Sequence, residues 1–342
     1  MVGIEEVAER AGVSTATVSR ALRGKAHVSP KARAKVEAAA KALGYVASSS
    51  AATLATGRTQ NIGVVLPYID RWFFSVILEG IESALIENGY DVTLYNMSGG
   101  QAQRDRIFNE FLLRKRVDGV IAVAVNPNAA ELENLTRMKK PIIGIGGPIS
   151  GARSLSMDDR AAGILATEHL LSLGHTRIGM IGGEPGADQE FNQPDLRFIG
   201  YQEAMKAAGL EIKPNWTASS DYTIQGAYKV AKQMLGDPKG APTAIFCASD
   251  EMGFGTIMAA KDLGLEVPKD ISVIGIDDHD MSDFFGLTTI SQKPRQQGKK
   301  AVDMMLELLH DPKLQEHVNV EANTEWPAPL VVRGSTARHV GR

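Results

Sequence analysis

Cysteine is all but missing from this chain: Cys247 is the single one among 342 residues. One thiol excludes an internal disulfide and any cysteine-built metal cluster. Its setting, Ala244-Ile245-Phe246-Cys247, predicts a buried strand residue that serves as a small apolar side chain. Long apolar runs are lacking too; none approaches the roughly 20 residues needed to span a bilayer. The start, Met1-Val2-Gly3-Ile4-Glu5-Glu6, has neither the basic charge nor the apolar stretch of a secretory leader, so a cytoplasmic protein is expected. Catalytic signatures are equally scarce. There is no G-x-S-x-G, no phosphate loop ending in Gly-Lys-Ser/Thr, and no H-E-x-x-H. Gly144-Ile145-Gly146-Gly147 lacks the spacing of a dinucleotide fingerprint, runs into Pro148, and reads as a turn. No enzyme, cofactor or metal is therefore expected. With 44% hydrophobic residues, the chain can bury a large core in more than one domain.

What is present begins with charge. Residues 1–60 hold nine Lys/Arg and four acids, a net +5, whereas the whole chain is −3, which leaves −8 for the remainder. A basic head on an acidic body suits a nucleic-acid module joined to a domain that does not bind nucleic acid. Ile4, Val7, Ala8 and Ala11 make one apolar helical stripe, which Gly12-Val13-Ser14 breaks. Ser14 is a good N-cap for a second helix from about Thr15 to Leu22, whose Val18 and Leu22 pack inward with Val13. Its other face carries Thr15, Ala16, Thr17, Ser19 and Arg20, with Arg23 beyond. These are small, hydroxyl or guanidinium groups that let a helix enter a major groove and meet phosphates and base edges. A third helix starts at Ser29-Pro30, ends at Gly44, and turns Val36, Ala39, Ala40 and Leu43 inward. The pattern is a helix-turn-helix. Next comes a Ser/Thr/Ala-rich stretch whose single large apolar residue is Leu54; Ala51 to Ala55 form helical turns only if something orders them.

From Asn61 the chain alternates strands and helices, starting with the apolar run Ile62-Gly63-Val64-Val65-Leu66. The expected helices include Phe73–Asn88, Gln103–Lys115, Ala129–Met138, Ala161–Leu173, Asp195–Ala208, Ile224–Leu235 and Glu251–Leu263, with strands between them up to Ser272–Ile276. This is an α/β body built twice: two doubly wound parallel-sheet lobes behind an all-α head. The boundaries expected are 1–46 for the head, 47–60 for a hinge and 61–342 for the body. Within the body, lobe 1 is about 61–158 plus 291–320, and lobe 2 about 159–290 plus 321–338. Ligands of such sheets bind past the carboxyl ends of the strands, here in the cleft between lobes.

The loops at those ends carry Asp70-Arg71-Trp72-Phe73-Phe74, Asp158-Asp159, Asp221-Tyr222, Ser249-Asp250 and Asp277-Asp278-His279-Asp280. Carboxylates accept bonds from hydroxyls and rings stack on the apolar faces of sugars, so a polyhydroxylated ligand suits them. Each has a plainer explanation. Asp250 is as readily the cap of the following helix as a ligand contact, and one of Phe73 and Phe74 belongs to the core. His279, between two acids, suggests a metal or a base, but a solvated loop explains it as simply.

The run Ile4 to Arg23, with Val28-Ser29-Pro30 and Leu43-Gly44-Tyr45, resembles the head of the LacI/GalR family of bacterial repressors. The likeness continues through Arg116-Val117-Asp118-Gly119-Val120, Leu173-Gly174-His175, Pro242-Thr243-Ala244-Ile245-Phe246, Gly275-Ile276-Asp277-Asp278 and Leu287-Thr288-Thr289-Ile290, covering essentially the whole chain. It implies a homodimer on a pseudo-palindromic operator, with recognition helices in major-groove half-sites and hinge helices paired in the central minor groove. By position Leu54 matches the family's apolar wedge, which kinks the duplex. Besides the recognition helix and Arg23, the expected DNA contacts are His27, Ser29, Lys31, Arg33, Tyr45 and Ala51. The hinge departs from the family: Ala47-Ser48-Ser49-Ser50-Ala51-Ala52 stands where Pro-Asn-x-x-Ala-Arg is common, which removes phosphate contacts and pre-ordering. The resemblance also places Phe73, Phe74, Asp158, Arg197, Tyr222, Asp250 and Asp277 at effector-contacting positions. Arg197 then either clamps a pair of sugar hydroxyls or pairs with a lobe carboxylate. The segment 184–194 departs from the family in composition and is expected to tune specificity through Gln189, Glu190 or Asn192.

The expectation is a sequence-specific transcriptional repressor of carbohydrate uptake or catabolism genes, released from its operator by a sugar-type effector. DNA and effector favour different lobe and hinge geometries, so each weakens the other's binding by the same factor. The alternatives are a purine- or phosphosugar-responsive co-repressed regulator, and a sugar-binding protein without regulatory role. An enzyme using Asp277 or His279 as base lacks any paired nucleophile.

Overall fold

The computed structural model describes residues 2–22, 28–45, 57–183, 193–237, 240–311 and 323–340. It divides into two compact units, residues 1–60 and 61–342.

The first unit is a three-helix cluster: α1 (Ile4–Ala11), α2 (Thr15–Leu22) and α3 (Pro30–Leu43). Local chemistry sets each end. The Gly3 amide donates to Glu6 Oε2 at 2.6 Å, and Gly12 closes α1 at φ 66°, a left-handed turn that suits glycine. Ser14 Oγ accepts from the Thr17 amide at 3.2 Å to start α2. Ser29 Oγ accepts from the Ala32 amide at 3.2 Å, and Pro30 fills the first position of α3. Val7, Val18 and Val36, one from each helix, are fully buried at the centre, with alanines around them.

The second unit holds two sheets, six-stranded among the described residues. The first is built from β1 (Asn61–Leu66), α4 (Trp72–Glu87), β2 (Asp91–Asn96), α5 (Gln101–Arg106), β3 (Gly119–Val123), α6 (Ala129–Arg137), β4 (Ile142–Ile145) and β5 (Arg153–Ser156). The second follows with α7 (Asp159–Ser172), β6 (Ile178–Gly182), α8 (Gln193–Ala207), β7 (Thr217–Ser219), α9 (Ile224–Leu235), β8 (Ala244–Cys247), α10 (Asp250–Asp262), β9 (Ser272–Asp277), α11 (Ser282–Phe285) and β10 (Thr288–Ser291). The chain then returns through α12 (Pro294–His310) to β11 (Asn323–Glu325) in the first sheet and ends with β12 (Leu330–Val331) in the second. The strand orders are β11-β5-β4-β3-β1-β2 and β12-β10-β9-β8-β6-β7; β12 alone runs antiparallel, against β10.

The strands are apolar on both faces because helices cover both, as with Val64 and Val65, each fully buried on opposite sides of β1. Cys247 is buried in β8, and burial pushes its thiol up to about 12. Helix pairs close over each sheet through glycine. A methyl on Gly298 of α12 would run into the Ile77 carbonyl of α4, and one on Gly163 of α7 into the Arg197 carbonyl of α8.

Three features differ from the sequence-based expectation. The helix expected over Gln103–Lys115 is α-helical only to Arg106; a π turn (Ile107–Phe111) and a 3-10 turn (Leu112–Arg114) follow. The Leu112 amide donates to the Ile107 carbonyl, five residues back, so that both side chains bury on one side. Strand β5 is Arg-Ser-Leu-Ser, too short and polar for its sequence to declare it. The third crossing between lobes lies at 326–329, not at 321. Asn323 pairs with Ser154, so 323–325 belong to the first sheet, and the Trp326 amide still donates to the Ser156 carbonyl at 2.9 Å.

Candidate functional site

The carboxyl ends of both sheets face one cavity of about 490 Å³, within the range of small-ligand sites, about 300–1,000 Å³. Tyr68, Ala124 and Gly146 follow β1, β3 and β4 on one side. On the other, Gly183, Ser220, Ser249, Asp277 and Gln292 stand at or just past the ends of β6 to β10. Parallel strands run in register, so their polar exits gather along one edge of each lobe. The backbone is strained around this edge. Ala124 (φ 49°), Tyr222 (60°) and Asp277 (135°) line the cavity, and Asp278 (59°) and Lys293 (48°) adjoin it, all non-glycine residues in the left-handed half of backbone space. Such residues cost about 1–3 kcal/mol each and concentrate at sites where geometry matters more than local stability.

The wall combines rings with hydrogen-bonding groups. Phe73 and Phe74, at the start of α4, meet edge to face with centroids 5.5 Å apart; both are half-buried against the lobe 1 core and both line the cavity. Tyr222 faces it from lobe 2, and burial pushes its phenol up to about 12. Arg197, on α8, donates from Nε to Asp159 Oδ1 at 2.8 Å and from Nη1 to the Ala248 carbonyl. Burial raises the Asp159 carboxyl against the pull of Arg197. Asp277 accepts from Gln292 Nε2 at 2.7 Å; burial, then the neighbouring Asp250, push it well above the usual carboxylate range. The Gln292 carbonyl in turn accepts from Gln297 Nε2 and from Trp326 Nε1, both at 2.8 Å. Gln292 thus joins the cavity, through its side chain, to the second and third crossings, through its backbone carbonyl.

Of the residues the sequence assigned to this site, the structure brings Phe73, Phe74, Arg197, Tyr222 and Asp277 together on the wall. Asp158 stands outside it, exposed; its Oδ1 accepts from the Ala161 amide at 2.8 Å and caps α7, while its neighbour Asp159 faces the cavity. Asp250 is also off the wall. It is fully buried and accepts from Thr289 Oγ1 (2.6 Å), Ser282 Oγ (2.7 Å) and the His279 amide (2.9 Å), while its neighbour Glu251 faces the cavity. Gln292 and Gln297 are not among the residues the sequence assigns to the site, because β10 is short and polar; the run Thr288-Thr289-Ile290-Ser291 is the local signal for it. Residues 184–192, which include Gln189, Glu190 and Asn192, lie outside the described residues.

Asp250 pins the loop after β9, and that loop holds the other lobe. Trp72 Nε1 donates to Asp280 Oδ2 at 3.0 Å, and the Trp72 ring stacks on His279 at 4.4 Å. Arg71 Nη1 donates to the Asp221 carbonyl at 2.6 Å. His279 is therefore no member of a free solvated loop: its Nδ1 accepts from the Met281 amide at 2.9 Å and its ring lies between Trp72 and Phe254. Two consecutive residues of lobe 1 clasp lobe 2 at the cleft mouth.

In the head, Thr15, Ala16 and Arg20 of α2 are exposed, and Thr17 and Ser19 half-buried; the Thr17 hydroxyl is tied to Ser14 Oγ at 2.9 Å. Lys31 is exposed, Ser29 is the N-cap of α3, and Tyr45 packs against the head core. Arg33 Nη1 donates to the Ala21 carbonyl at 3.0 Å, where a cation meets the carboxyl end of α2. Arg23, His27, Ala51 and Leu54 lie outside the described residues.

Residues 3–48 match the family described as bacterial regulatory proteins, lacI family, and residues 167–336 match a periplasmic binding protein-like domain. The chain is 34% identical to the ribose operon repressor of Escherichia coli (strain K12) over 321 residues, 92% of this chain and 96% of that one. The chain belongs to the lacI family. It is 33% identical over 345 residues to the transcriptional repressor PurR of Vibrio vulnificus, 99% of each chain. Its fold matches the lac repressor dimer bound to operator and the anti-inducer ONPF with a TM-score of 0.82, at 30% identity over 98% of this chain and 99% of that one. A ribose-bound family member from Enterococcus faecium matches with a TM-score of 0.70 at 27% identity, over 82% of this chain and 100% of that one. This lacI-family member is accordingly an effector-binding transcriptional regulator, with a helix-turn-helix head and a two-lobed body. Among the described residues, no helix is long and apolar enough to cross a membrane.

Proposed function

We propose that the regulator is a homodimeric repressor of carbohydrate uptake or catabolism genes that acts on chromosomal DNA in the cytoplasm. A small sugar-type effector held between the lobes releases it from a pseudo-palindromic operator. The observation that carries this reading is the wall itself: the Phe73/Phe74 pair on one lobe faces Asp277, Asp221 and the serines of the other. Rings cover the C–H face of a sugar while carboxyl and hydroxyl groups take its hydroxyls. Ribose-linked relatives support the ligand class. The exposed Thr15, Ala16 and Arg20, with Thr17 and Ser19, supply the groove-facing surface, and Leu54 the central wedge.

Because the clasp residues and the cavity share α4, an occupant biases how the lobes close, and the hinge at 47–60 reads that bias. Effector and operator then oppose each other by linkage, about 1–3 kcal/mol in typical cases. In this reading the cleft binds and does not transform its occupant, since Asp277 is already held by Gln292.

The test starts with duplexes selected from a random pool by the purified full chain. Their binding is then titrated with ribose and a panel of pentoses and hexoses at fixed salt. Release by one sugar is the expected result. Tighter DNA binding with a sugar would make it a co-repressor, and sequence-specific binding indifferent to every sugar would overturn the sugar reading.

A further inference from the structure

The charges of the cavity are unevenly committed. Both guanidiniums are engaged: Arg197 by Asp159 and the Ala248 carbonyl, and Arg71 by the Asp221 carbonyl while it lies 4.4 Å over the Tyr68 ring. Asp159 is matched by Arg197 and Asp277 by Gln292. Asp221, at the exposed rim, already accepts from Thr223 Oγ1 at 2.7 Å and from the Thr223 amide at 3.2 Å. Glu251 differs. It lines the cavity from the first turn of α10 and is half-buried, yet among the described residues nothing donates a hydrogen bond to its carboxylate or pairs with it. Burial raises its carboxyl above the ordinary value, against the pull of Arg71 and with a push from Asp70.

A partly desolvated carboxylate in a cleft wall costs free energy until an occupant supplies donors. A phosphate or carboxylate placed there would meet a like charge; Arg197 is matched by Asp159, and Arg71, held by the Asp221 carbonyl and the Tyr68 ring, already has its charge directed at Glu251 itself. We propose that Glu251 is the specificity-determining residue of the cleft: it accepts a hydroxyl of an uncharged effector and rejects ligands that carry an anionic group. This rests on the sugar reading above and narrows it to unphosphorylated sugars.

The test uses calorimetric titration of the full chain with each sugar of the panel beside its phosphate ester, ribose with ribose 5-phosphate and glucose with glucose 6-phosphate among them. A sugar should bind about 100-fold or more tightly than its ester, since like charges brought together cost several kcal/mol. Glu251→Gln keeps the shape, and should weaken the sugar about 10- to 100-fold while narrowing the gap to the ester. Glu251→Asp, which keeps the charge, should still reject the ester. An ester that binds as tightly as its sugar overturns the proposal and leaves the sugar reading standing. Unchanged affinities in Glu251→Gln overturn it equally. If neither sugars nor esters bind, the sugar reading fails and this proposal with it.

Discussion

Replacing Arg197 with leucine separates a ligand clamp from a structural ion pair, the two roles open to that residue. Arg197 and Asp159 are almost wholly buried and 2.8 Å apart. Removing one member of such a pair typically costs about 3–5 kcal/mol, because the other charge stays buried without a partner. Here Asp159 begins α7, and the field of that helix's N-terminus offsets about 1 kcal/mol. The expected loss is therefore about 2–4 kcal/mol, or a fall of about 3–7 °C in Tm for a body of this size. Thermal and urea unfolding followed by circular dichroism would read it. The unpaired Asp159 has a raised folded-state pKa, so it takes up a proton as pH falls and its unpaired charge disappears. The deficit should thus shrink as pH falls toward the ordinary carboxylate range. Adding Asp159→Asn should restore much of the stability, since the unmatched charge is gone. A loss below about 1 kcal/mol that ignores pH, or a double variant no more stable than the single, would refute the reasoning. Arg197 would then be available to a ligand.

Three further outcomes follow from other parts of the molecule. Trp72→Phe removes the indole bond to Asp280 and keeps a ring against His279; amide exchange over 278–282 should rise about 2- to 5-fold, and unchanged exchange would show that no clasp exists there. His175 is buried between Thr243 and Ser272, and desolvation lowers its pKa from 6.5 to about 4. The unfolded chain therefore binds its proton first, so stability is present above 6.5 and lost as pH falls toward 4. The effect is about 3 kcal/mol before screening and about 1–2 after; His175→Asn should flatten that part of the pH–Tm curve. Arg20→Ala on the exposed face of α2 should weaken operator binding and reduce the salt slope by about one if Arg20 meets a phosphate. Equal affinity for wild type and variant would remove Arg20 from the interface.

Much of this protein was written in local pattern. The head's helices begin and end at Ser29-Pro30, Gly12 and Gly44 because caps and left-handed turns depend on neighbouring residues alone. Helix Ile224–Leu235 and strand Ala244–Cys247 came out at the expected residues for the same reason: Thr223 caps the helix, and four apolar residues in a row fit a strand covered on both faces. The sequence alone also determined the two-part charge and the doubled α/β rhythm. Tertiary structure decided which member of each adjacent acidic pair faces the cleft. Asp158 and Asp159, and likewise Asp250 and Glu251, stand at helix starts, where neighbours on a helix point about 100° apart. The first of each pair looked functional, yet Asp158 caps α7 and Asp250 anchors a loop, while Asp159 and Glu251 reach the wall. Helix phase against a distant sheet makes that choice, and no local pattern encodes it. The same holds for β11, three exposed residues that become a strand only because β5 offers an open edge beside them.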